Sequence, residues 1–158
     1  MIKLAGRVLL MFVWMGSAVA EEPTLQDLLD EGRLSVKVRL EPTTGATQTQ
    51  QVAMVIEVAT DTWFAAGTRI GLLEVDGALV LRRNTFATNF TRRERGRTWT
   101  TQLWSLHLHA QRAGLIAVPP VSLDLTIAGE AGRRITGRVF TPALQFSVAR
   151  SEEHTSEL

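Results

Sequence analysis

The chain has 158 residues, 45% hydrophobic and 21% charged, with 17 Lys and Arg against 16 Asp and Glu and no cysteine. That length suits one domain with its own core, and a net charge of +1 excludes the basic polyelectrolyte surface that grips nucleic acid through bulk charge. The missing cysteines exclude disulfides, thiolate nucleophiles and cysteine-held metals.

Residues 1–20 read as a secretory signal peptide. Lys3 and Arg7 supply a basic start, Val8 to Met15 an apolar run, and Ala18-Val19-Ala20 a small-residue cleavage site ahead of Glu21. The apolar run is shorter than the ~20 residues a spanning helix needs, so cleavage is expected, and the exported chain must hold together by packing alone. Residues 21–32 (EEPTLQDLLDEG) predict a short helix with Thr24 as N-cap, Leu25, Leu28 and Leu29 on one face and Gly32 as the stop. It is expected to cover an end of the following domain.

Residues 33–149 carry alternation rather than helical periodicity. Leu34, Val36, Val38 and Leu40 alternate with Ser35, Lys37 and Arg39, the period of a half-buried strand. After a polar loop, Glu41 to Gln51, the residues Val52, Met54, Ile56 and Val58 form a second apolar face. Trp63 and Phe64 beside Gly67 predict a loop pinned by aromatic burial. Strands are expected at Ile70–Val75 and Ala78–Arg82 around a tight Asp76-Gly77 turn, and at Thr85–Thr91 with Phe86 and Phe90 on one face. Arg92 to Arg97 (RRERGR) reads as a charged turn.

The longest strand, Thr98 to His109, divides into Gln102, Trp104, Leu106 and Leu108 on the face assigned to the core, and Trp99, Thr101, Leu103, Ser105, His107 and His109 on the other. Gln102 is then a buried polar group that needs a partner. Full burial of Trp104 would make Trp104→Ala cost on the order of 3–5 kcal/mol. A turn at Gly114, an apolar run to Val118 and the break at Pro119-Pro120 precede a strand at Val121–Ile127, with Val121, Leu123, Leu125 and Ile127 inward. The turn at Gly129–Gly132 leads to strands at Arg133–Phe140 and Leu144–Val148. Seven to nine short strands with regular turns predict an all-β fold, an immunoglobulin-like antiparallel β-sandwich.

Residues 150–158 (RSEEHTSEL) are polar and aperiodic, and they match the in-frame translation of a common sequencing-library adapter. The expectation is a non-native tail and a native chain that continues past Ala149. Between residues 21 and 149, removing Lys3, Arg7 and Arg150 from the 17 cations and Glu152, Glu153 and Glu157 from the 16 acids leaves 14 against 13.

Motifs for chemistry are sparse. His107 and His109, two apart on one strand face, could present two imidazoles to a metal, but the remaining histidine is His154 in the tail, so two surface histidines are expected and no metal. Arg92, Arg93, Arg95 and Arg97, with Arg82 and Arg83 nearby, read as a solvated hairpin rim; an acidic protein partner or lipid headgroups are the other readings. Glu57, Asp61, Glu74 and Asp76 have no acid/base pairing. No nucleophile elbow, zinc-protease motif or phosphate-cradling loop occurs. No catalytic residue and no cofactor is therefore expected.

One phrase carries a resemblance. Trp99, Gln102 and Trp104, then Gln111-Arg112-Ala113-Gly114, then Val118-Pro119 and an alternating strand, resemble the BatD family of bacterial aerotolerance proteins, with Trp63-Phe64 and Val75-Asp76-Gly77-Ala78 similar to upstream segments of that family. The resemblance spans about Arg33 to Val148, and departs from the pattern at His109 and Asp76, where proline is usual. It implies an exported, membrane-anchored chain of tandem immunoglobulin-like domains on the periplasmic face of the inner membrane, its C-terminal helix beyond this fragment. The implied partners are von Willebrand factor A proteins and a MoxR-type ATPase, and the implied role is in envelope stress. The family residues in this chain are Trp63, Trp99, Gln102, Trp104, Gln111, Arg112, Gly114 and Pro119. The alternative is a carbohydrate- or ligand-binding sandwich that uses exposed Trp99 or Trp63 as a stacking platform.

Overall fold

The computed structural model describes residues 20–42, 45–82 and 86–151. The expected signal peptide lies outside them except for Ala20, as do the expected non-native tail beyond Ser151, including His154, and Arg83 and Thr85. The first element is α1 (Leu25–Asp30). The Thr24 hydroxyl accepts from the Asp27 N–H at 3.2 Å while the Asp27 carboxylate accepts from the Thr24 N–H at 2.7 Å, a reciprocal capping box. Gly32, at φ +67, follows the helix. Leu25 and Leu28 are buried, and the helix packs on the strands at residues 34–41 and 134–140.

In chain order the strands are β1 (Leu34–Glu41), β2 (Ala46–Thr47), β3 (Gln51–Thr60), β4 (Arg69–Ile70), β5 (Ala78–Leu81), β6 (Thr88–Glu94), β7 (Arg97–Ala110), β8 (Gly114–Val118), β9 (Ser122–Ala128), β10 (Arg134–Phe140) and β11 (Leu144–Ala149). The first sheet runs β1-β3-β7, and β5 and β6 both pair with the far edge of β7. Its centre is β3, whose Val52, Met54, Ile56 and Val58 are completely buried. Register places Leu106 of β7 beside Met54 and Leu108 beside Val52, and both leucines are buried as well.

The second layer is one long bent hairpin. β9 pairs with β10 and β8 with β11, and the register survives the proline break: Val118 faces Leu144 and Ser122 faces Phe140, the same step along both strands. That register sets Pro120 opposite Pro142, and prolines have no N–H to give to a ladder. Thr141 bridges the gap. Its N–H donates to the Val121 carbonyl, and its hydroxyl accepts from the Val121 N–H, both at 2.9 Å.

Across this kink both strands change the parity of their buried positions. Ile116 and Val118 give way to Val121, Leu123, Leu125 and Ile127, and Phe146 and Val148 to Val139 and Ile135. Both halves therefore face one core. β4 adds to the free side of β9, and β2 adds in parallel to β11. With β1, β3, β7 and β5/β6 in one layer and β4, β8/β9, β10/β11 and β2 in the other, this is the strand arrangement of an immunoglobulin-like sandwich.

Several expectations need correction. The polar loop Glu41–Gln51 contains β2, because the chain leaves the first sheet there and Ala46 is buried against the second. Of the expected strand Ile70–Val75 only Ile70, paired together with the preceding Arg69, forms a ladder. Asp76-Gly77 does make a tight turn, closing a Val75–Ala78 bridge, but β4 and β5 on either side belong to different sheets, so it turns a crossing segment. β6 starts later than Thr85 and runs through Arg92 and Arg93 to Glu94. The turn itself is only Arg95-Gly96, at φ +50 and +78, the paired left-handed conformation of a two-residue hairpin. Phe86 precedes β6 and does not share a strand face with Phe90.

Candidate functional site

The tryptophans do not behave alike. Trp63 is 60% exposed, contrary to the expectation that it pins its loop. Phe64 does so instead, through a bridge to Ile127 and packing on the core, since neighbouring residues of an extended segment point opposite ways. Trp104 lies on the assigned core face, in register with Ile56, but is only half-buried. The reason is in the pairing: β6 covers β7 up to Leu103 and β5 resumes at His107, so Trp104 sits at the interval between them. Its indole N–H is buried with no acceptor among the described residues. Gln102 is half-buried rather than buried, and its side-chain carbonyl accepts from the Thr68 hydroxyl at 2.6 Å.

The family-like residues at Gln111–Gly114 and Val75–Ala78 pack together. The Gln111 N–H donates to the Gly77 carbonyl at 2.8 Å. Arg112 lies across Gly77, where an added Cβ would stand 2.5 Å from its Nε, and its guanidinium reaches the Leu115 carbonyl at 3.1 Å and the Asp76 carboxylate at 3.4 Å. Gly114 has φ +101 and opens β8. Pro119 is exposed at the kink. These residues clasp two turns at one end of the sandwich.

Opposite the core, the outer face of the first sheet carries the odd-numbered residues of β7. His107 and His109 lie there. The His107 Nδ1 is 2.6 Å from the Gln51 side-chain amide, and the His109 Nε2 is buried without a partner among the described residues. No group of three His, Cys, Asp or Glu that could hold a metal occurs among the described residues.

At the other end of this face is a cleft of about 550 Å³ bounded by Leu29 and Gly32 after α1, by Ser35 and Lys37 of β1 and by Arg92, Glu94, Arg95, Arg97 and Trp99 of the β6–β7 hairpin. Register lines up Ser35, Ala59 and Thr101 across β1, β3 and β7, and Ala59 and Thr101 are completely buried although they lie on the face away from the core. Arg97 lies 5.6 Å from the Trp99 ring centroid, a cation–π distance, and donates to the Gly32 carbonyl at 3.2 Å. Arg92 is paired with Glu57 at 2.9 Å and lies 3.6 Å from Glu94. Lys37 and Arg95 have no carboxylate partner among the described residues.

In the sequence alone the hairpin arginines form a solvated rim and Lys37 lies on a separate strand. Only the register brings Lys37 and the hairpin to one cleft. The outward phase of Lys37 was the available signal, but it does not say which other outward residues lie alongside. No family model matches the chain, and no curated protein matches it.

Proposed function

We propose that this domain is a non-enzymatic protein-interaction module, part of an exported, membrane-anchored BatD-like protein that works with von Willebrand factor A and MoxR-type ATPase partners in envelope stress. The observation that carries the reading is the use of the family-like residues. Gln111 and Arg112 clasp Asp76-Gly77 by hydrogen bonds and close packing, which is work of shape rather than chemistry. Two surface features favour association. Among the described residues β1 pairs only with β3, leaving a row of backbone donors and acceptors at the sheet edge, and Leu79, Leu81 and Phe90 are exposed on the outer face.

The sugar-platform alternative draws less support. Trp99 lies on the outer face of the first sheet and Trp63 in the loop that bridges to the second, so the two rings do not form one stacking surface. Affinity capture from envelope extracts with the full-length native protein tests the proposal. Recovery of von Willebrand factor A proteins or a MoxR-type ATPase is expected, and their absence would count against it.

A further inference from the structure

We infer that the cleft between β1 and the β6–β7 hairpin is a docking site for an extended acidic peptide segment of a partner protein. The inference rests on the protein-interaction reading and assigns it a surface and a ligand chemistry.

Charge is the first argument. Four cations, Lys37, Arg92, Arg95 and Arg97, line the cleft against one carboxylate, Glu94. The hairpin arginines divide by role: Arg97 is held on Trp99 and the Gly32 carbonyl, and Arg92 by Glu57 and Glu94. Lys37 and Arg95 stand at separate places on the rim with no carboxylate partner among the described residues, so they are ready to meet negative groups. Cations spaced this way suit carboxylates spaced along a chain better than one compact anion.

Shape is the second argument. The cleft runs from Leu29 and Gly32 after α1 and Ser35 and Lys37 of β1 on one side to the β6–β7 hairpin on the other. An extended peptide lying in it can set successive carboxylates against Lys37 on one wall and Arg95 on the other. A membrane-seated surface would set large exposed apolar side chains among the cations. Here Trp63, Leu72, Leu79, Leu81 and Phe86 are exposed, and none of them lines the cleft.

The test uses the full chain and a fluorescein-labelled peptide of alternating glutamate and valine, followed by anisotropy. The acidic peptide is expected to bind, more weakly as salt rises, and a lysine–valine peptide of equal length is not. Lys37→Gln combined with Arg95→Asn removes both available charges, and asparagine tolerates the left-handed conformation of residue 95. This variant should melt like the parent and bind the acidic peptide about 2- to 30-fold less tightly, the range expected for losing two exposed charge contacts.

No binding of the acidic peptide, or equal binding by the folded double variant, would overturn the inference. So would preferential binding to phosphatidylglycerol vesicles or to oligogalacturonate, which would assign the cleft to lipid or to acidic glycan. Affinity capture with the double variant separates the two proposals: partners recovered equally well would leave the interaction module standing and remove this cleft from it.

Discussion

Individual side chains in this sandwich matter according to what they can pair with. Leu108 is completely buried beside Val52 and Val80, so Leu108→Ala should cost about 2–5 kcal/mol in urea unfolding. Trp104, half-buried and with an orphaned indole N–H, is a weaker anchor than its hydrophobic bulk suggests. Trp104→Phe keeps much of the apolar contact and deletes the unsatisfied donor, so the unfolding free energy from urea titration should change by less than about 1 kcal/mol. A loss as large as that of Leu108→Ala would mean that the indole N–H has a partner. Gly77 is constrained twice, by φ +79 and by Arg112 lying over it. Gly77→Ala should cost about 1–2 kcal/mol from the backbone alone and more from the clash with Arg112. In an Arg112→Ala background only the backbone part should remain, which a double-mutant cycle can read.

The elements hold together through a few polar clasps at places where the ladder fails. At the bend in the second layer, Pro120 and Pro142 withdraw their donors and Thr141 restores the connection. Thr141→Val keeps the shape and leaves the buried Val121 N–H without its acceptor, for an expected loss of about 1–3 kcal/mol in thermal or urea unfolding. The capping box of α1 gives a pH dependence with a definite sign. Backbone and then side-chain hydrogen bonds from Thr24 hold the Asp27 carboxyl below the ordinary aspartate range, and its hydrogen bond to Arg138 does the same for Asp124 between β9 and β10. A carboxylate with a depressed folded-state pKa stabilises above its unfolded value, and that contribution is lost as pH falls through the folded value. Hydrogen exchange at the Leu28 amide should therefore accelerate as pH drops below the usual aspartate range, after correction for intrinsic exchange. In Asp27→Asn that added acid sensitivity should vanish.

Across the whole molecule, cohesion comes from one shared apolar core without any covalent link. Met54 and Ile56 from the first sheet and Leu123, Leu125 and Ile116 from the second belong to a single buried cluster, and the chain has no cysteine. The β8–β9 and β10–β11 strands extend through both halves of the bent layer, so neither half can open without disturbing that core. Unfolding should be one cooperative step, with far-ultraviolet circular dichroism and tryptophan fluorescence giving the same midpoint. Separate transitions would show that the two halves of the second layer are independent units.

Alternation alone determined most of the strands, the all-β class and the inward set Val121, Leu123, Leu125 and Ile127, because a period of two places every second side chain on one face whatever its partners are. Thr24 and Gly32 likewise marked the short helix through local hydrogen bonding and backbone conformation. Partnership, however, is not local. Which strand lies beside which decided that Asp76-Gly77 turns a crossing segment, that Trp104 falls in the interval between β5 and β6, that Phe64 rather than Trp63 is the loop's anchor, and that the proline break bends a hairpin without changing its register. It also decided the cleft, since Lys37 meets Arg92, Arg95 and Trp99 only because β1 and the β6–β7 hairpin flank the same end of β3.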